Sequence, residues 1–104
     1  MSTAHAYSAA KAGVNNLTRS MAVTYGKHGI RANAIAAGTI ETKMVSSFFN
    51  DDFQAQKVSK YPLQRMAKPH EIASAALFLA SEEASYITGA VIPVDGGRMA
   101  GTGA

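Results

Sequence analysis

Apolar positions Ala10, Val14, Leu17, Met21 and Tyr25 step along the chain by four and three, the spacing of one face of an α-helix. The pattern predicts a first helix over residues 7–27, closed by Gly26 and Gly29, because glycine takes up the left-handed conformation that ends helices. The stretch that follows, "IRANAIAAG" at residues 30–38, is mostly apolar and does not alternate cleanly. It reads as a strand covered on both faces, as in a parallel sheet. Residues 39–64 are polar and punctuated, yet carry Met44, Val45, Phe48, Phe49 and Phe53. A long irregular connection with that apolar content reads equally as a lid or binding wall and as a loop docked on the core. Pro69 opens a second helix where its missing N–H costs little, with Glu71 in the first turn and Ile72, Ala73, Ala76, Leu77 and Ala80 as the buried face. Residues 91–94, within "AVIPVDGG", form a second strand; Pro93 cannot donate to a ladder, which places that strand at a sheet edge. The order helix, strand, lid, helix, strand describes an α/β domain, and its strand–crossover–strand portion a right-handed parallel βαβ unit.

Composition narrows the reading without changing it. At 104 residues the chain is one domain at most, and its 47% apolar and 16% charged content suits a globular core. The absence of cysteine excludes disulfides and thiolate metal sites and fits a reducing compartment. His5, His28 and His70 stand far apart without ligand spacing, so no metal site is expected. The net charge of +3 is concentrated: residues 1–31 carry +4 and no acid, and residues 32–104 carry −1. With no basic run and no interleaved aromatics, that surplus falls short of a nucleic-acid footprint. No apolar run approaches the ~20 residues of a membrane span, and no basic-then-apolar leader pattern opens the chain. The expectation is a soluble, cytoplasmic protein with neither nucleic acid nor membrane as partner.

Candidate chemistry begins in "AYSAAKAG", where Tyr7 and Lys11 lie four apart. On a helix that spacing puts both on one face, their Cβ atoms about 5–6 Å apart. A cation beside a phenol favours the phenolate, so such a pair can give and take a proton near neutral pH. Taken alone, the spacing reads first as a core-facing aromatic and a solvated lysine, a pairing common on helices with no chemistry attached.

Three blocks in order give the pair its context: Tyr-x-x-x-Lys on a helix, "RANAIAAGTIETKM", and "SYITGAVIPVDGG". Together they resemble the carboxyl-terminal part of a short-chain dehydrogenase/reductase, from residue 5 to residue 97. The resemblance implies the C-terminal part of a Rossmann-like, doubly wound parallel sheet, with the N-terminal nucleotide-binding half absent. It implies an NAD(P)-dependent oxidoreductase that interconverts a small-molecule carbonyl and an alcohol. Tyr7 matches the family's acid/base; Lys11 matches the residue that eases its ionisation and hydrogen-bonds the nicotinamide ribose. The turn after the first strand, here Ala37, Gly38, Thr39 and Ile40, matches the segment that holds the nicotinamide ring. Thr42 falls near the carboxamide or diphosphate. Ala37 departs from the family's proline, which removes a fixed φ and no catalytic atom.

The family is well over twice this length and opens with a Gly-rich turn for the dinucleotide diphosphate. No such turn exists here, and the family's catalytic serine would lie upstream of residue 1. The resemblance therefore implies a fragment, whose full-length form is a homo-oligomer using NAD or NADP. The alternative is a truncated, non-catalytic module that associates with a full-length subunit. A chain standing alone would leave Val14, Leu17 and Met21 facing water and one edge of its first strand unpaired.

Overall fold

The computed structural model describes residues 3–41 and 51–101. Its elements are α1 (Thr3–Tyr25), a 3-10 turn (Gly26–His28), β1 (Ala34–Ala37), α2 (Asp51–Val58), α3 (Pro69–Ala80), a second turn (Glu82–Ala84), β2 (Val91–Val94) and a last turn (Arg98–Gly101). The strands pair in a two-stranded sheet. The Ala34 N–H donates to the Ala90 carbonyl at 2.9 Å and the Gly38 N–H to the Val94 carbonyl at 3.0 Å. The two bonds advance by the same step along both strands, so the pair is parallel. β2 has no second neighbour among the described residues, and Pro93 is exposed, as expected of an edge position. None of the described helices is long and apolar enough to cross a membrane.

The chain divides into two compact units, Met1–Ala34 with Leu79–Ile92, and Ile35–Phe78 with Pro93–Ala104. In the first, α1 starts at Thr3, four residues earlier than the apolar stripe predicts, and gives way after Tyr25 to the 3-10 turn. Gly29 closes that turn with a φ of 77°, its N–H bonded to the Gly26 carbonyl. The residues α1 buries are Thr18 and Ala22, one turn apart, together with Leu79 and Ala84 of the same unit. Thr18 can be buried because its hydroxyl donates to the Val14 carbonyl at 2.8 Å. The larger residues of the predicted stripe are exposed, Val14 at 56% and Leu17 at 59%. The surface left to water is thus the one expected where no further strand among the described residues packs on α1.

The first strand is shorter than residues 30–38, and the reason is polar. Arg31 donates to the carbonyls of Leu79 (2.7 Å), Ser81 (3.0 Å) and Ile87 (3.3 Å). Asn33 donates to the Ile87 carbonyl at 3.0 Å and accepts from the Ala90 N–H at 3.1 Å. The Ala32 N–H goes to the Thr88 hydroxyl, and the Gly89 N–H to the Ala32 carbonyl. Side chains of Arg31, Asn33 and Thr88, with one main-chain bond from Gly89 to Ala32, therefore take over most of the pairing that a ladder would supply, and regular strand begins only at Ala34.

In the second unit, part of the connection expected to be irregular is helical: α2 runs over Asp51–Val58. Of the apolar residues predicted to wall a site, Met44, Val45, Phe48 and Phe49, and the side chain of Phe53, lie outside the described residues. The Thr39 carbonyl and the Glu41 N–H bond Ala67, making an isolated parallel bridge between Ile40 and Ala67.

α3 begins at Pro69 as the sequence predicts, but buries a different stripe. Ile72 and Ala75 are half-buried and Leu79 is buried, whereas Ala73, Ala76 and Ala80 are exposed and Leu77 is 72% exposed. In an almost wholly apolar helix, composition leaves the inward face undetermined, and packing selects the row 72, 75, 79.

Candidate active site

Tyr7 and Lys11 lie on α1, in the first unit. The Lys11 ammonium donates to the Tyr7 hydroxyl at 3.4 Å, and Nζ stands 5.6 Å from the phenol ring centroid. A helix of Ala, Ser and Gly around them ("AYSAAKAG") leaves the pair uncrowded, and Tyr7 is 65% exposed. One turn of α-helix is thus enough to bring the two polar ends into contact.

The turn after β1 belongs to the second unit. Ala37 ends the strand and is exposed. Gly38 donates to the Val94 carbonyl and lies where a side chain would be crowded: a Cβ there would stand 3.0 Å from Asp95 Cα and 3.2 Å from Tyr61 Cε1. Thr39 is gripped by Tyr61, whose hydroxyl accepts the Thr39 N–H at 3.1 Å and shares a 2.7 Å hydrogen bond with the Thr39 hydroxyl. Ile40 sits in the bridge to Ala67. Thr42 lies outside the described residues.

Gly38, Thr39, Tyr61, Arg65, Glu71 and Asp95 are among the residues lining a pocket of about 380 Å³ within this unit. Asp95 organises one wall by accepting the N–H groups of Gly97 (3.0 Å) and Met99 (3.1 Å). Arg65 and Glu71 form a two-pronged pair at 2.6 and 2.8 Å, and Glu71 also accepts the Lys68 N–H at the start of α3. The Arg65 hydrogen bonds, followed by that from Lys68, lower the Glu71 carboxyl to about 2. Tyr61 balances opposing influences. Burial pushes its phenol up, but the Thr39 hydroxyl and N–H, and the charges of Arg98 and Lys57, outweigh it and leave the phenol below its ordinary value.

The structure thus joins Tyr7 to Lys11 and Gly38 to Thr39, in two units that are each internally defined. Tyr61 lines the pocket at a position that periodicity does not pick out. Its only trace in the sequence is an aromatic directly before Pro62, in a polar stretch with no apolar face to place it.

A family model described as enoyl-(acyl carrier protein) reductase matches residues 1–99. The chain is 51% identical over 94 residues to cis-4-hydroxycyclohexanecarboxylate dehydrogenase of Sinomonas cyclohexanicum, covering 90% of this chain and 37% of that protein. A crystal structure of an oxidoreductase of the short-chain dehydrogenase/reductase family from Burkholderia thailandensis superposes with a TM-score of 0.86 at 47% identity, covering 92% of this chain and 38% of that one. An Agrobacterium tumefaciens protein solved with bound NADP gives a TM-score of 0.83 at 40% identity, over 90% of this chain and 39% of that one. The chain therefore spans about two fifths of the length of the relatives it matches.

Proposed function

The chain belongs to the short-chain dehydrogenase/reductase family, and from that premise we propose that it forms the catalytic C-terminal part of an NAD(P)-dependent oxidoreductase. The reaction is interconversion of a carbonyl and an alcohol on a small molecule. The observation that carries this reading is the 3.4 Å hydrogen bond from Lys11 to Tyr7, made by the two residues whose spacing marks the family.

The donor chemistry of the described residues suits the nicotinamide end of a dinucleotide. Lys11 has three N–H donors, of which one reaches Tyr7. The others suit a ribose diol. The turn at 38–40 offers main-chain groups in a fixed shape, suited to a carboxamide. When bound, the dinucleotide supplies or accepts the hydride. Tyr7 gives its hydroxyl proton to the carbonyl oxygen during reduction and takes a proton from the alcohol during oxidation. Lys11 would steady the Tyr7 oxygen and hold the ribose, while Ala37, Gly38, Thr39 and Ile40 would orient the nicotinamide; the role of Thr42 rests on the family resemblance alone. The gain is alignment, on which hydride transfer depends.

Lys11→Ala in the full-length polypeptide carrying this sequence tests the reading, because the lysine serves both tasks. Cofactor affinity and turnover are expected to fall together; unchanged cofactor affinity would contradict the assignment.

A second reading has an observation of its own. The exposed Val14, Leu17 and Met21 on α1 suit a non-catalytic module that packs on a complete subunit. Dehydrogenase activity in the full-length polypeptide, abolished by substitution at Tyr7, favours the enzyme over the module.

A further inference from the structure

Tyr61 is the most deeply set aromatic among the described residues, 9% exposed, although the segment around it ("SKYPLQR") is polar. Three contacts lock it. Its N–H reaches the Val58 carbonyl at 3.0 Å, at the end of α2. Pro62, next in the chain, packs so closely on Gly97 that a Cβ there would stand 3.0 Å from Pro62 Cγ. Leu63 donates to the Gly96 carbonyl at 3.0 Å. The ring is covered on one side by the Arg98 guanidinium, 5.7 Å from its centroid. An anchored phenol of this kind is a fixed point, and its hydroxyl is spent on one residue, Thr39, through both the N–H and the side chain. The Thr39 carbonyl takes the Ala67 N–H at 2.8 Å, so every polar group of Thr39 is held.

We propose that Tyr61 is the positioning residue of the turn at 38–40, its hydroxyl fixing Thr39 so that the neighbouring main-chain groups meet the nicotinamide end of the cofactor in one orientation. The inference rests on the function proposed above and adds a residue outside the Tyr–Lys pair and the turn itself. A tyrosine suits the task better than water or a flexible polar side chain. Its oxygen accepts the N–H while keeping a second hydrogen bond, and the rigid ring carries little conformational freedom to lose. Against the opposing effect of burial, the Thr39 hydrogen bonds and the nearby positive charges of Arg98 and Lys57 favour ionisation of that phenol.

Tyr61→Phe in the full-length polypeptide removes both hydrogen bonds and leaves the ring packing in place. Two such bonds predict a roughly fivefold to tenfold rise in the dissociation constant and KM of the cofactor. The KM of the carbonyl substrate, the pH profile of kcat and the circular dichroism spectrum stay as in the parent. A merely structural tyrosine would lower the thermal midpoint without this selective effect on cofactor. Thr39→Val removes one of the two bonds from the other side and is expected to give a smaller rise, and adding it to Tyr61→Phe should change little further. Cofactor affinity unchanged in a folded Tyr61→Phe protein overturns the proposal, as does an unchanged Thr39→Val protein should Tyr61→Phe fail to fold. The two readings fail separately: normal cofactor affinity in Tyr61→Phe with a dead Tyr7→Phe enzyme removes only the role of Tyr61. An active Tyr7→Phe enzyme removes the proposed acid/base.

Discussion

Two side chains one helical turn apart, Tyr7 and Lys11, carry the chemical reading, and their geometry follows from the period of the helix alone. That pair was legible in the sequence because both residues lie on one regular element. The grip on Thr39 was not, because it joins residues 22 positions apart through a turn whose path no periodicity encodes. Gly38 lies between these cases. A glycine at the end of an apolar run announces a turn, but the reason for it is steric and appears only in space, where Asp95 and Tyr61 crowd the missing Cβ. Gly38→Ala should therefore destabilise the protein by about 1–3 kcal/mol, the usual cost of forcing an extra methyl into a packed site. Denaturant titration of the full-length polypeptide measures it; a stability equal to the parent's would show that the Asp95 main chain yields without cost.

At the scale of elements, the start of α3 was readable and its buried face was not. Pro69 and Glu71 mark a helix start by local chemistry, and Glu71 indeed reaches back to the Lys68 N–H. The face is settled by tertiary packing among near-equivalent apolar residues, which is why 72, 75 and 79 turn inward in place of the row containing Ala73, Ala76, Leu77 and Ala80. β1 was overextended for the converse reason: Arg31 and Asn33 look like interruptions of a strand, yet they supply the hydrogen bonds that replace it.

The same capping carboxylate makes a pH prediction. Glu71 titrates at about 2 in the folded chain against an ordinary value of 4.5, so between those values the unfolded chain binds the proton and the folded chain does not. The contribution of the Arg65–Glu71 pair is fully present above pH 4.5 and is lost as the pH falls toward 2. Glu71→Gln should lower the thermal midpoint of the full-length polypeptide near neutral pH, and the gap to the parent should close as the pH falls through this window. A gap that persists at the lowest pH would assign the stabilisation to something other than the carboxylate.

For the whole molecule, the described core is small: Ala22, Tyr61, Leu79 and Ala84 are its buried apolar residues. Ordering a residue costs roughly 1–2 kcal/mol in backbone entropy, and native stabilities are only about 5–15 kcal/mol even for intact domains. The exposed stripe on α1 and a sheet of two strands leave little to offset that cost. The isolated 104-residue chain is accordingly expected to lack a sharp cooperative thermal transition, to associate through its apolar surface, and to bind neither NAD nor NADP with micromolar affinity, since no Gly-rich diphosphate turn is present in it. Calorimetry showing a cooperative monomer, or titration showing micromolar cofactor binding, would contradict this. The fold class was legible because three short blocks stand in the family's order, whereas the size of the core depends on which faces find partners.

Tyr7 is the group proposed to move the proton, and steady-state kinetics of Tyr7→Phe in the full-length polypeptide, with cofactor affinity measured alongside, tests that role most directly. Loss of the phenol oxygen removes proton transfer and leaves the ring in place. The prediction is a fall in kcat of at least roughly 10²-fold to 10⁴-fold with the cofactor dissociation constant within about threefold of the parent's. Turnover near the parent value, at unchanged cofactor affinity, would contradict the assignment of Tyr7 as the acid/base.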